Sequence, residues 1–243
     1  MKADMHTQPD PHLAGQRRQL IRWLAAMACT GGLGAARAAT PSAADATAGL
    51  RAALEFGAKA AVAQLGRTDG FLANPLVHIP LPDTLQRAAK LLRATGQGKR
   101  LDELETAMNR AAELAVPEAQ TLLIDAVKSM TVDDAAQILR GSDTAVTEFF
   151  AGRTREPLAE KFLPIVSAAT EQVSLARKYN AVASRASRFG LLSAENANLQ
   201  QFVTGKALDG LYKMIGEEEK KIRQDPVATG QAILQSVFGA LKK

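Results

Sequence analysis

The chain has 243 residues, 47% of them hydrophobic and 23% charged, with a formal net charge of +5, one cysteine and three histidines. That length can bury a core without covalent staples, and a single cysteine excludes an internal disulfide framework. Cys29, the only tryptophan (Trp23) and two of the histidines (His6, His12) all fall in the first forty residues, so multi-His and Cys-based zinc or iron sites are excluded from the rest.

In chain order, residues 1–38 read as an export signal peptide of the twin-arginine type. The pair Arg17-Arg18 is followed by Gln19-Leu20-Ile21-Arg22, although Gln16 and Leu20 depart from the residues usual around such a pair. An apolar run from Trp23 to Ala36 comes next, diluted by Gly31, Gly32 and Gly34, and Ala36-Arg37-Ala38 supplies a small-x-small cleavage site. The run is too short and too glycine-rich to span a bilayer, and a lipidated Cys29 is the weaker alternative. The expectation is a periplasmic protein starting near Ala39, with no transmembrane span in the mature chain. Removing the leader takes five of 30 basic and two of 25 acidic residues and leaves about +2. The basic balance therefore belongs largely to the leader, and no nucleic acid partner is expected.

From residue 39 onward the apolar spacing is three and four, which predicts an all-α, single-domain bundle of about ten helices over 39–243. Ser42-x-x-Asp45 predicts a capped first helix to about Leu65, and Asp83 or Thr84 starts a second that ends before Gly96 and Gly98. A third runs from Leu101 to about Ala115, and Pro117 either kinks it or opens the next, which reaches Met130. Thr131-x-x-Asp134 caps a short helix, and Ser142 starts another through Phe149 and Phe150. Residues 156–189 predict a long helical region interrupted at Pro164. Ser193 and Asp225-Pro226 predict the last two starts, the final helix carrying Ile233, Val237 and Leu241.

The exception is residues 66–82, where three prolines exclude a regular helix yet seven side chains are Ala, Val, Leu, Ile or Phe. Such a loop is either a strap packed on the bundle or the lip of a groove, and Val77-His78-Ile79 is long enough for one strand of a minimal β-hairpin.

The run Gln64-Leu65-Gly66-Arg67-Thr68-Asp69-Gly70-Phe71-Leu72-Ala73-Asn74-Pro75, with Ile79-Pro80-Leu81-Pro82, closely resembles the signature of the domain of unknown function 4197 family of bacterial exported proteins. Met108-Asn109-Arg110-Ala111-Ala112-Glu113, Pro157-Leu158, Lys161-Phe162-Leu163-Pro164, Tyr179-Asn180 and Lys206-Ala207-Leu208-Asp209-Gly210-Leu211 extend the resemblance over the mature chain. It implies an exported, predominantly helical protein, and no activity, ligand or catalytic residue.

The residues themselves suggest no catalytic set and no cofactor. His78 has no carboxylate beside it in sequence, Glu217-Glu218-Glu219 reads as a solvated face paired to Lys221 and Arg223 at four-residue spacing, and neither it nor Asp133-Asp134 has calcium-loop spacing. The most site-like polar and aromatic residues are Arg67, Asp69, Phe71, Asn74 and His78 on or beside the loop, then Arg153 with Arg155, Tyr179 and Asn180. Arg67 with Asp69 also suits a staple between loop and bundle. The expected function is binding of an apolar small molecule, a lipid or a protein partner. The alternatives are a structural envelope component, or a cofactor-independent enzyme using carboxylate, Arg or Tyr chemistry.

Overall fold

Ser42 opens the first helix: its hydroxyl accepts the Asp45 N–H at 3.1 Å while the Asp45 carboxylate accepts the Ser42 N–H at 3.1 Å, and α1 runs Ala43–Leu65. The computed structural model describes residues 42–142, 144–188 and 198–224, within one compact unit, Thr40–Lys243. After the loop come α2 (Asp83–Ala94), α3 (Gly98–Ala115), a 3₁₀ turn at Val116–Glu118 that contains Pro117, α4 (Ala119–Lys128) and α5 (Val132–Arg140). Thr131 and Asp134 close a second capping box at the start of α5. The chain continues through α6 (Ala145–Glu171), α7 (Ser174–Arg188) and α8 (Leu199–Gln224).

The core lies where α3, α6 and α8 meet, with α1 across α8 and α4. Leu101, Leu104, Met108, Ala111, Ala112 and Ala115 of α3 are fully buried. α6 departs from expectation, for it continues through both Pro157 and Pro164. An interior proline costs about 3 kcal/mol by losing a hydrogen bond and crowding the carbonyl four residues back. Phe150, Leu158, Phe162 and Val166 form one fully buried stripe along that helix. At roughly 1.5–3 kcal/mol for each buried side chain, their packing offsets two prolines. This fusion is one reason the described residues hold α1 to α8 and not about ten helices. The starts expected at Ser193 and Asp225-Pro226 lie outside the described residues, and α8 is first seen at Leu199.

The 66–82 loop is a strap buried on α3 and α8, built of turns with no strand, so the minimal hairpin does not form. Phe71, Val77, Ile79 and Leu81 are all buried. Ile79 finds a substitute for a neighbouring strand: the Asn109 side chain accepts its N–H at 2.9 Å and donates to its carbonyl at 2.9 Å. Glu113 accepts the N–H groups of Phe71 (3.0 Å) and Leu72 (3.1 Å) on one oxygen and pairs with Arg110 (2.6 Å) on the other. Arg110 also bonds Asp69 at 2.7 Å; Asp69 sits at φ 67, in the left-handed region that Asp tolerates. His78 spans the Leu72 carbonyl (2.9 Å) and Glu105 (2.7 Å).

The far side of the strap presses on α8. A Cβ on Gly210 would lie 2.7 Å from the Phe71 ring and 3.2 Å from Val77. Lys213 meanwhile donates to the Leu76 carbonyl at 2.8 Å.

Two substitutions test this clamp. Asn109→Ala strands the buried N–H and carbonyl of Ile79 and is expected to lower unfolding free energy by about 2 kcal/mol or more in urea titration. Gly210→Ala forces Phe71 to move and is expected to cost about 1–3 kcal/mol, with Phe71→Leu in the same chain recovering part of the loss.

Candidate functional site

The strap leaves the core at Ile79, and the next residues, Pro80, Leu81 and Pro82, become the rim of a groove of about 990 Å³. Proline fixes φ at two of those three positions, so the rim is stiff. The first turn of α2 adds Thr84 and Arg87 to one wall; α6 supplies Arg155, Glu156, Glu160 and Leu163; α8 supplies Phe202, Thr204, Gly205, Lys206 and Asp209. Tyr179 of α7 completes the lining.

Across the groove, Arg155 bonds Asp209 at 2.6 Å, its guanidinium 5.8 Å from the Tyr212 ring centre, which links α6 to α8. The Lys206 ammonium lies 5.9 Å from the Phe202 ring. Glu156 and Glu160 are exposed, one helical turn apart. Pro164 also denies the Glu160 carbonyl its usual helical donor. Thr204 is 5% exposed, and its hydroxyl has no hydrogen-bond partner, although a helical threonine commonly bonds back to the carbonyl four residues earlier. The groove thus combines apolar and aromatic surface with charges of both signs.

Of the residues singled out in sequence, Arg155 and Tyr179 line this groove. Asn180 borders a smaller cleft of about 370 Å³ that shares Leu163 and Gln201 with it. The Asn180 amide ties α7 to the start of α8, accepting the Leu199 N–H at 2.8 Å and donating to Gln200 at 2.8 Å. Asp69, Phe71 and His78 belong to the clamped strap, where Asn74 accepts the Leu76 N–H at 3.1 Å. Arg67 is exposed and takes no part, since Asp69 pairs with Arg110. Arg153 bonds Asp134 at 2.9 Å and sits 4.3 Å from the Phe149 ring centre, on another part of the surface.

The glutamate run at the end of α8 is not a solvated face. Glu218 and Glu219 are 8% and 6% exposed where α8 packs on α1, and Lys220 and Lys221 pair with Glu217 and Glu218 at three-residue spacing. Among the described residues no group of three or more His, Cys, Asp or Glu is arranged to hold a metal ion. Nor is any described helix long and apolar enough to cross a membrane. Phe202 escaped sequence reasoning because it falls on the apolar stripe of α8 with Leu199, Val203 and Ala207, and Lys206 because it reads as ordinary helix flank. The signal that could have found them is the polar flank of that stripe beside the Lys206–Leu211 motif.

The family whose description reads Protein of unknown function (DUF4197) matches residues 40–239. Neither a curated protein nor a solved structure matches the chain.

Both tyrosines of the chain have phenols raised above the ordinary value of 10.0. Burial is the main cause for each, opposed in part by the neighbouring hydroxyls of Thr84 at Tyr179 and Thr154 at Tyr212. A group whose folded pKa is raised contributes stability that is present below the unfolded value and lost as pH rises through the folded one. Ultraviolet titration of the folded protein is therefore expected to show phenol ionisation above pH 10, returning to about 10 in urea, with stability falling over that alkaline window.

Proposed function

The chain belongs to this family of proteins of unknown function, and for it we propose a binding module: an exported helical protein whose groove holds a ligand with an apolar body and a polar end. The groove carries the reading. Its volume of about 990 Å³ stands at the upper end of small-molecule sites, which run from about 300 to 1,000 Å³. Leu163, Phe202 and the prolines of the rim offer apolar surface, while Arg87 and Lys206 offer polar anchors.

A segment of a partner protein is the second reading, favoured by charges of both signs around one groove. An enzymatic reading has less support. Acid–base chemistry needs titratable groups whose environments push them apart, and Glu156 and Glu160 are both exposed. Export rests on the leader, and the start of the family match at residue 40, two positions beyond the expected cleavage site, supports it.

Native mass spectrometry of the protein purified from the periplasm tests the module, and Gly205 provides the control. A Cβ there meets nothing within 4 Å, so Gly205→Trp places an indole on the groove wall from a position with room for its first carbon. It also removes a helix-interior glycine, worth up to about 1 kcal/mol in helix propensity. The expected outcome is a bound species on the natural chain that is missing from a Gly205→Trp variant of equal or higher Tm. A ligand-free natural chain, or a ligand retained by the variant, would overturn the reading. For export, N-terminal sequencing is expected to begin at Ala39, and Arg17→Lys with Arg18→Lys is expected to leave the precursor in the cytoplasm.

A further inference from the structure

Helix α2 is attached on one side only. Leu85, Ala89 and Leu92 pack against the core, and none of its residues is buried. The outward side carries Arg87, Lys90 and Leu91, which fall on one face at helical spacing. Leu91 is 70% exposed, the most of any large apolar side chain among the described residues.

Residues 84–101 contain five cations and no acid. These are Arg87, Lys90 and Arg93 on α2, then Lys99 and Arg100 past the turn at Gly96, and all five are exposed. Arg93 and Lys99 pair with Asp102 (2.7 Å) and Glu103 (3.9 Å) at the base of α3. Arg87, Lys90 and Arg100 have no carboxylate partner among the described residues.

We propose that this face docks on an anionic lipid surface, with Leu91 entering the boundary between headgroups and acyl chains and the cations meeting lipid phosphates. The exposed leucine decides between polyanions. A nucleic acid backbone offers phosphate but nothing to bury Leu91 in, whereas a bilayer offers both. One leucine and a handful of cations make a weak, reversible and salt-sensitive association. Because α2 also contributes Thr84 and Arg87 to the groove wall, docking would set the groove beside the bilayer. The proposal does not depend on what the groove holds.

Flotation of residues 40–243 with phosphatidylcholine vesicles, with and without phosphatidylglycerol, tests it. Recovery is expected only with the anionic vesicles, and it is expected to disappear at about 1 M salt, where screening falls to about 3 Å. Lys90→Glu with Arg100→Glu is expected to lower partitioning about tenfold or more, each cation near such a surface contributing about a factor of five. Leu91→Asp, at an exposed site that cannot disturb the core, is expected to weaken it severalfold. Gly205→Trp is expected to float as the natural chain does, which separates failure of this proposal from failure of the groove reading. No flotation with anionic vesicles would overturn the proposal, as would flotation indifferent to both surface variants. Charge-dependent binding that ignores Leu91→Asp and is matched on immobilised single-stranded DNA would reassign the face to polyanions and overturn it too.

Discussion

The buried carboxylate of Glu113 is the contact from which the rest of the architecture follows. A carboxylate taken out of water is expensive unless its lone pairs are filled. Two strap N–H groups and the Arg110 guanidinium fill them. Glu105, Asn109 and Glu113 recur every four residues and so form one polar edge beside the helix's buried apolar stripe. That edge fastens seventeen proline-punctuated residues (66–82), whose turns satisfy some of their own N–H groups, by supplying side-chain partners to Phe71, Leu72 and Ile79. Asn109 at Ile79 is the clearest instance, because a side-chain amide has the donor and acceptor that an extended residue requires.

The groove depends on this clamp through geometry alone. Ile79 is pinned by Asn109, and Pro80 and Pro82 then leave little conformational choice before α2 begins at Asp83. The rim is thus positioned from one end by α3 and from the other by the inward packing of α2. On the opposite wall, the Arg155–Asp209 pair holds α6 to α8. A site assembled this way from rigid elements has little ordering cost left to meet when it is occupied.

Local chemistry was legible in the sequence and distant pairing was not. Both capping boxes, at Ser42 and Thr131, were readable because each is complete within four residues. The strap was readable as apolar and non-helical, but its hydrogen-bond partners lie as far as 137 residues away. His78 looked isolated for the same reason: Glu105 is 27 residues downstream. The prolines of α6 misled because a local rule about helix breaking was outweighed by a buried stripe that only the third dimension reveals. The groove was hidden most deeply, since α2, α6, α7 and α8 each contribute residues that look like ordinary helix flank. Motifs quoted for the family resemblance do acquire a physical meaning. Met108–Glu113 is the clamp, and Gly210 in Lys206–Leu211 is the flat landing for Phe71.

That landing has a consequence for the order in which the fold can be completed. The clamp joins segments thirty to forty residues apart, so it can close early, when loop closure is still cheap. Phe71 and Gly210 are 139 positions apart. A growing chain therefore lacks the α8 side of the Phe71 contact until nearly nine-tenths of it has been synthesised. The strap in effect reports whether the last described helix has arrived, and a truncated product would present Phe71 to the folding machinery as its mark of incompleteness.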